Sequence, residues 1–304
     1  VDIQQQEPVE ISELETTENN DLSKSSESIT VDESIAEDIL ATQADTAVVV
    51  GTVSDYLTAK GDAKLYNINL PAGVYLQAQL TTPANADLDY DLYLLDAEGN
   101  ILTGSDYYTY INGTAGTLPE ALGYITSGDT ATYYLYVLAS EGGSVSESFT
   151  LDYSVSTACD SYEIDESVRQ ALAFTYGAGG AYIESRNLSS PIDNDWYVIT
   201  VPSSRIYDKL KISATTASTN TCSVEVYQNV ASEGYQMKRV GSGNTISVSS
   251  GKYYIRVSNA KTMENFDDLD IQNYKLSITP ILKATGIVIT CLLYTSPSPR
   301  DYAA

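Results

Sequence analysis

The stretch KLYNINLPAGVYLQAQL, residues 64 to 80, carries the pattern on which the fold prediction rests. Apolar and polar side chains alternate in KLYNINL, the tripeptide PAG interrupts the run, and the alternation resumes in VYLQAQL. Side chains two residues apart on an extended chain point to the same face, and Pro and Gly favour turns. The stretch therefore predicts two short β-strands joined by a tight turn.

Runs of the same kind continue along the chain. They are DLYLLD (91–96), YYLYVLA (133–139) and FTLDYSV (149–155), separated by the turn formers AEGN (97–100), SGD (127–129) and EGG (141–143). Short strands at close spacing with turn signals between them are typical of an all-β sandwich or barrel. No sustained helical period accompanies them, so we predict an all-β fold without long helices.

The order of these runs then recurs. The counterparts are DWYVITVPSS (195–204), KLKISATT (209–216), SVEVYQN (223–229), SSGKYYIRVSN (249–259) and NYKLSIT (273–279). Tyr66 and Tyr197 are 131 residues apart, and Leu151 and Leu276 are 125 apart. A period of this length indicates tandem copies of a whole domain. We predict one domain at 47–156 and a second at 157–280.

The N-terminal segment, residues 1–46, differs from the rest in composition. It contains 13 carboxylates, one lysine and no aromatic residue. Such a segment buries too little apolar surface to offset its chain entropy, so we expect a disordered acidic linker. Its role is either that of a solvated spacer or that of a tail without function.

Composition also limits the function. The chain has 41 acidic residues, 16 basic residues and no histidine, which gives a formal charge of -25. Such a negative field repels nucleic acid and anionic lipid, so we expect no nucleic-acid partner. Absence of histidine removes the usual general base and the Ser-His and Cys-His nucleophile pairs. A carboxylate pair for glycoside hydrolysis remains, but among 41 acidic residues such pairs arise by chance. We expect a protein that is not an enzyme.

The repeated motifs resemble a known family. DYDLYLLDAEGN in the first copy, GKYYIRVSN in the second, and the acidic lead-in DSYEIDES (160–167) are similar to the bacterial pre-peptidase C-terminal (PPC) domain. The resemblance covers residues 47 to 280. The second copy departs from the hairpin motif, because CSVEVYQN lacks the aspartate pair.

The resemblance implies a secreted or cell-surface bacterial protein built from jelly-roll-like β-sandwiches that are not catalytic. Two functions follow from it. The first is a binding or spacer module, with polysaccharide or an extracellular protein as partner. The alternative is an accessory region of a secreted peptidase or other exoenzyme whose catalytic domain lies outside this sequence.

Two groups of acidic residues are candidate calcium ligands. The first is Asp87, Asp89, Asp91 and Asp96 in and beside DLDYDLYLLD, and the second, weaker group is Glu163, Asp165, Asp193 and Asp195. Calcium takes six to eight oxygen ligands, and carboxylates are its usual protein donors. Similar sandwiches in clostridial collagenases use calcium, which supports the idea by analogy. A solvated acidic loop is the alternative for the first group.

Tyrosines offer a second kind of candidate site. In DYYTYING (106–113), Tyr107, Tyr108 and Tyr110 lie beside Asn112 in a predicted loop after the hairpin, where rings suit stacking on a sugar or peptide. Packing on their own sheet is the alternative. Trp196 lies on a predicted strand, and we expect it in the core.

The cysteines leave two alternatives open. Cys159 and Cys222 form one disulfide if the protein is secreted under oxidising conditions, or they are two reduced thiols. Their spacing does not decide between them.

The C-terminal residues 291–304 are expected to be non-native. Read back into codons, CLLYTSPSPRD (291–301) is similar to an in-frame translation of a transposase-type sequencing adapter. We then expect 281–290 to begin a truncated further domain. The apolar run IVITCLL (287–293) is far shorter than the roughly 20 residues needed to cross a bilayer, so we expect no membrane insertion in this part.

Overall fold

The structure is a computed structural model that describes most of the chain from residue 48 onward. The described residues are 27–28, 48–85, 87–106, 108–111, 114–115, 118–157, 159–216, 222–231, 234–260 and 272–283. Both the C-terminal tail 291–304 and most of the predicted truncated segment 281–290 lie outside them.

The first half of the chain forms a β-sandwich of two sheets. The strands in this half of the chain are β1 (Glu27–Ser28), β2 (Val48–Asp55), β3 (Ala63–Leu70), β4 (Tyr75–Thr81), β5 (Asp89–Leu95), β6 (Ile101–Ser105), β7 (Tyr108–Ile111), β8 (Thr114–Ala115), β9 (Glu120–Ile125), β10 (Ala131–Glu141) and β11 (Phe149–Ser156), and all but β7 and β8 belong to this sandwich. The larger sheet has the order β1-β3-β10-β5-β6, and the smaller sheet has the order β2-β11-β4-β9. These two sheets are called the first sandwich.

The second half forms another sandwich. Its elements are a 3-10 helix (Val168–Gln170) and the strands β12 (Leu172–Ala173), β13 (Ala181–Leu188), β14 (Asn194–Val201), β15 (Tyr207–Thr216), β16 (Cys222–Asn229), β17 (Gln236–Ser242), β18 (Thr245–Ser247), β19 (Gly251–Asn259) and β20 (Gln272–Leu282). One sheet begins β12-β14-β19-β16-β17 and the other has the order β13-β20-β15-β18. These are called the second sandwich.

The two sandwiches have the same strand order. Across the larger sheets, the neighbouring strands β3, β10, β5 and β6 of the first correspond to β14, β19, β16 and β17 of the second. Across the smaller sheets, β2, β11, β4 and β9 correspond to β13, β20, β15 and β18. Even the short parallel partners agree, since β1 pairs with β3 as β12 pairs with β14.

The all-β prediction is confirmed, and each of the ten predicted runs is a strand. The prediction from KLYNINL and VYLQAQL corresponds to β3 and β4, within one residue at each end. The turn between them contains Gly73, whose φ of 78° is a conformation that glycine adopts without strain. Period-two alternation therefore located the central strands of both sandwiches.

Each sandwich has its own apolar core. Leu76, Leu92 and Leu151 are fully buried in the first, and Ile212 and Leu276 are fully buried in the second. Each core lies between its two sheets. Because successive side chains of a strand point to opposite faces, the residues next to the core residues lie on the outer face of their sheet.

A third apolar cluster lies on the outer face of the second sandwich's larger sheet. Trp196 is fully buried there against Tyr227 and Met237, and Leu118 from the first half of the chain joins them. Burial of Trp196 confirms the expectation, although its cluster differs from the main core of its sandwich.

Two strands of the first half belong to the second sandwich's sheet. β7 pairs in parallel with β17, with Tyr108 opposite Gln236 and Tyr110 opposite Lys238, and β8 pairs with β7. The prediction of a loop at this point is therefore wrong for Tyr108 and Tyr110, because the free edge of β17 offers backbone hydrogen bonds. Tyr107 and Asn112 lie outside the described residues.

The predicted disorder of residues 1–46 falls almost wholly outside the described residues. Glu27 and Ser28 are the exception, because they pair in parallel with Tyr66 and Asn67 of β3. For these two residues the expectation of disorder is wrong, since the exposed edge of β3 accepts a strand. Within the described residues, no helix is long and apolar enough to cross a membrane.

Candidate metal centre

The acidic lead-in 160–167 runs between the two sandwiches and is tied to the start of β14. The backbone N–H of Trp196 donates to the carbonyl of Asp165 over 3.0 Å. Asp160 accepts from the backbone N–H groups of Tyr162 (2.8 Å) and Asn187 (2.9 Å). These bonds fix the lead-in beside the first residues of β14, where two more aspartates lie.

Five carboxylates meet at this point. They are Glu163, Asp165, Glu166, Asp193 and Asp195, called here the carboxylate cluster. Two groups of three, each including Glu163, have oxygens that all lie within 4.8 Å of one another. The four members other than Glu163 are at most 1% exposed. So many buried acids in one place demand either protons or cations to offset their repulsion.

Arg186 on β13 faces the cluster because of a β-bulge. The pairing of β13 with β20 shifts register between Ile183 and Arg186, and Ser185 within the bulge has a φ of 63°. An extra residue reverses which side chains point inward, so Arg186 and Leu188 are buried after the bulge. The bulge thus brings a guanidinium into the interior of the protein.

The Arg186 side chain is fully buried and paired with acids on several sides. Its nitrogens lie 2.6 Å from Asp160, 2.5 Å from Asp165 and 2.7 Å from Asp195. Its Nε donates to the Tyr197 hydroxyl over 2.7 Å. Burial disfavours the charged guanidinium, but Asp195 and Asp165 outweigh this effect and raise the pKa of Arg186. One positive charge therefore offsets part of the negative charge of the cluster.

Every member of the carboxylate cluster has an oxygen without a hydrogen-bond partner among the described groups. These atoms are Glu163 Oε1, Asp165 Oδ1, Glu166 Oε2, Asp193 Oδ1 and Asp195 Oδ1. The last of them is in ion-pair contact with Arg186. Buried carboxylate oxygens without partners are costly, and a bound cation would offset this cost.

The pKa values of the cluster are raised. Burial, followed by the charge of Glu166, raises the pKa of Glu163 to about 9. Burial and the charge of Asp193 raise the pKa of Glu166 to about 8, and burial raises that of Asp193 to about 6. Burial also raises the pKa of Asp165 and Asp195 well above the usual range. Without a metal, the cluster therefore holds protons at neutral pH.

The donor set fits a hard divalent cation. It consists of carboxylate oxygens, which calcium and magnesium prefer, and it lacks the imidazole that zinc and copper sites commonly use. Several carboxylates in an irregular arrangement suit calcium, whose coordination is flexible, better than magnesium, which demands an octahedron. Calcium would supply the positive charge that Arg186 alone does not.

The first sandwich covers one side of the cluster. The Tyr75 hydroxyl donates to Glu163 over 2.8 Å and to Glu166, and the Gln77 side-chain amide donates to Glu166 over 2.8 Å. Tyr75 and Gln77 are each 1% exposed. Both lie on the face of β4 that points away from the first sandwich's core, so this outer face is buried by the lead-in.

β9 approaches the cluster equally closely. A Cβ atom placed on Gly123 would lie 2.2 Å from Glu166 Oε2 and 2.7 Å from Ile164. Only a residue without a side chain allows this contact. Nearby, Asn194 donates to the side chain of Gln79 over 3.2 Å. The cluster is therefore enclosed by residues from both sandwiches.

The structure brings together the second predicted group of calcium ligands. Glu163, Asp165, Asp193 and Asp195 all belong to the carboxylate cluster. Sequence reasoning missed Glu166, although it lies in the same EIDES stretch, and it missed Arg186. The sequence feature that could have identified Glu166 is its place among the acidic residues of EIDES, a short segment between two predicted domains.

The first predicted group does not converge. Asp87 precedes β5 and Asp96 follows it, and this seven-residue strand separates their positions by roughly 20 Å. Asp96 accepts from the backbone N–H groups of Glu98 (3.0 Å) and Asn100 (2.8 Å). It shapes the turn between β5 and β6.

Asp89 and Asp91 do share a face of β5. Burial raises the pKa of Asp89 to about 6, and burial together with Asp89 raises that of Asp91 to about 7. Ser140 donates to Asp91 over 3.3 Å. Within the described residues, no third acidic oxygen lies close enough to complete a metal site with this pair.

Cys159 and Cys222 are free thiols in the structure. Burial, followed by the charge of Glu163, raises the pKa of Cys159 to about 11, and burial raises that of Cys222 to about 12. Both thiols are therefore protonated and unreactive at neutral pH. The structure contains them as thiols, and a disulfide under oxidising conditions stays the alternative prediction.

Comparison with known proteins does not identify a family. No protein-family model matches the chain, and no curated protein matches it.

Three solved structures illustrate how distant the structural matches are. The periplasmic g-type lysozyme inhibitor PliG of Aeromonas hydrophila matches with a TM-score of 0.22 and 11% identity, over 42% of this chain and 93% of its own. The CUB1-EGF-CUB2 region of human MASP-1/3 matches with a TM-score of 0.23 and 11% identity, over 76% and 99%. A putative secreted protein from Eubacterium rectale matches with a TM-score of 0.22 and 12% identity, over 76% and 74%.

Proposed function

We propose that this chain is a non-catalytic module of a secreted or cell-surface protein, made of two tandem PPC-like β-sandwiches, the second of which binds calcium. The module serves binding or spacing, with polysaccharide or an extracellular protein as its partner. The calcium ion is structural and holds the acidic lead-in in place.

The shared strand order of the two sandwiches supports the first part of this proposal. Eight strands of each sandwich occupy corresponding positions in its two sheets. Among them are the strands formed by the alternating runs, which recur in the same order along the chain. The short parallel pairing of β1 with β3 in the first sandwich also recurs as that of β12 with β14 in the second, which favours a repeated domain over a chance arrangement of strands.

One observation carries the calcium assignment. Four fully buried carboxylates and Glu163 converge with a single guanidinium, and each has an oxygen without a hydrogen-bond partner. Buried charges of one sign persist in proteins when they are paired or coordinate a metal. A divalent cation supplies that partner and uses the oxygens that are left over.

Calorimetric titration with calcium tests this function. At pH 7.5 we expect one calcium site with a dissociation constant below about 10⁻⁴ M, because five carboxylates exceed the charge of weak extracellular sites. Binding also releases roughly one to two protons, since Glu163 and Glu166 hold protons at this pH without metal. Titrations in two buffers of different ionisation enthalpy measure the release.

Matched variants locate the site. Asp193→Asn removes a charged ligand while keeping the shape of the side chain, and we expect it to weaken calcium binding at least tenfold. Asp96→Asn changes the other predicted group, and its turn also suits asparagine. Equal binding by both variants, or loss in Asp96→Asn alone, contradicts the proposed site.

A further inference from the structure

Gln77 is a residue of the first sandwich that contacts the carboxylate cluster. It occupies the middle of β4 between Leu76 and Ala78, which face the first core. Alternation therefore turns Gln77 outward, and it is nevertheless only 1% exposed. What buries it is the second half of the chain.

The two ends of the Gln77 amide differ in their contacts. Nε2 donates to Glu166 Oε1 over 2.8 Å. Oε1 is buried and has no hydrogen-bond partner. An amide oxygen of this kind is costly to bury without a partner, and it is also one of the oxygen types that calcium accepts.

From this geometry we infer that Gln77 is a further ligand of the cation, so that calcium is shared between the two sandwiches. This inference rests on the proposed function, because it assumes that the cluster binds calcium. A neutral amide adds an oxygen without adding charge to a site that already has five acids. The two ends of an amide have nearly the same shape, so Gln77 turned by half a turn would occupy the same space with its oxygen toward the carboxylates.

The close contact at Gly123 supports a shared site. With a Cβ position only 2.2 Å from Glu166 Oε2, β9 leaves no room for the lead-in to move toward the first sandwich. The cation is thus confined between β4 and β9 on one side and β14 on the other. Calcium binding and docking of the sandwiches are then linked, and each strengthens the other.

Three variants of the full chain separate a ligand from a packing role. Gln77→Leu fills the space without an oxygen, and we expect calcium affinity to fall at least tenfold. Gln77→Glu keeps an oxygen, and we expect affinity within a few fold of the native chain. Thr81→Val is the matched control, four residues along the same face of β4 at the end of the strand, and it leaves affinity unchanged.

Hydrogen exchange measured by mass spectrometry gives an independent reading. In the native chain, calcium is expected to slow exchange several-fold both in the lead-in 160–167 and in β4. In Gln77→Leu, calcium protects the lead-in but leaves β4 unchanged.

The outcomes distinguish the inference from the proposed function. If calcium neither binds nor protects the lead-in of the native chain, the proposed function fails. If calcium binds and protects the lead-in but Gln77→Leu and Gln77→Glu behave alike, or β4 never responds, the shared ligand is wrong and the calcium site stands.

Discussion

Replacing Arg186 with methionine is expected to cost about 3–5 kcal/mol of folding free energy, the usual loss when one partner of a buried ion pair is removed. Arg186 is fully buried and contacts Asp160, Asp165 and Asp195 within 2.7 Å. Methionine fills a similar volume but leaves those carboxylates without their positive partner. Urea unfolding at pH 7.5, followed by the fluorescence of Trp196, measures the loss.

Lys275→Met is the matched control for this variant. Lys275 pairs with Glu184 over 2.8 Å, but both side chains are substantially exposed, at 39% and 58%. Water screens such a pair, so its removal is expected to cost less than about 1 kcal/mol. Equal loss in the two variants would mean that the buried guanidinium does not organise the lead-in.

Removing calcium is expected to lower the unfolding temperature most at alkaline pH. Without metal, the folded chain holds protons on Glu163, Glu166 and Asp193, whose pKa values of about 9, 8 and 6 exceed the unfolded values near 4. Because the folded state binds more protons between these values, the stability that the three groups contribute is fully present below about pH 4 and falls as pH rises toward 9.

Bound calcium removes this fall, because it replaces the protons. At pH 8 and a calcium concentration 100 times the dissociation constant, stabilisation is about 2.7 kcal/mol, or roughly 5–10 °C in unfolding temperature. Thermal melts in calcium and in EDTA from pH 5 to 9 measure the difference. Magnesium at the same concentration is the control and is expected to stabilise less. Superimposed curves in calcium and EDTA would refute a structural calcium site.

Much of the fold was predictable because the central strands alternate in polarity. The strands that escaped prediction are mainly short or edge strands, such as β12, β13 and β18. Apolar and polar residues alternate weakly in a strand when neither of its faces is fully buried, so these segments show no period of two in the sequence. The pairing of β7 with β17 joins residues 108 and 236 and depends on which strand edges meet, which no local pattern records.

The carboxylate cluster was partly predictable. Asp193 and Asp195 flank the start of a strand, and Glu163 and Asp165 lie in an acidic stretch that resembles a family motif, so both were identified as candidates. Their convergence depends on the lead-in returning beside β14 through the backbone bond from Trp196 to Asp165. Sequence gave no reason to prefer this group over the aspartates around β5.

Arg186 and Gln77 were not predictable for different reasons. Arg186 faces inward only because a bulge at Ser185 shifts the alternation by one residue. Gln77 follows the alternation of a half-exposed strand, and its burial depends on how the two sandwiches pack. A polar residue on an outer face becomes informative only when the surface that covers it is known.

A crystal structure of the full chain grown with calcium tests the central claim most directly, through the anomalous signal of the ion. The predicted result is one calcium ion between the sandwiches, coordinated by oxygens of the carboxylate cluster and by Gln77. An ion bound only at the aspartates around β5, or a carboxylate cluster without an ion at millimolar calcium, would contradict the claim.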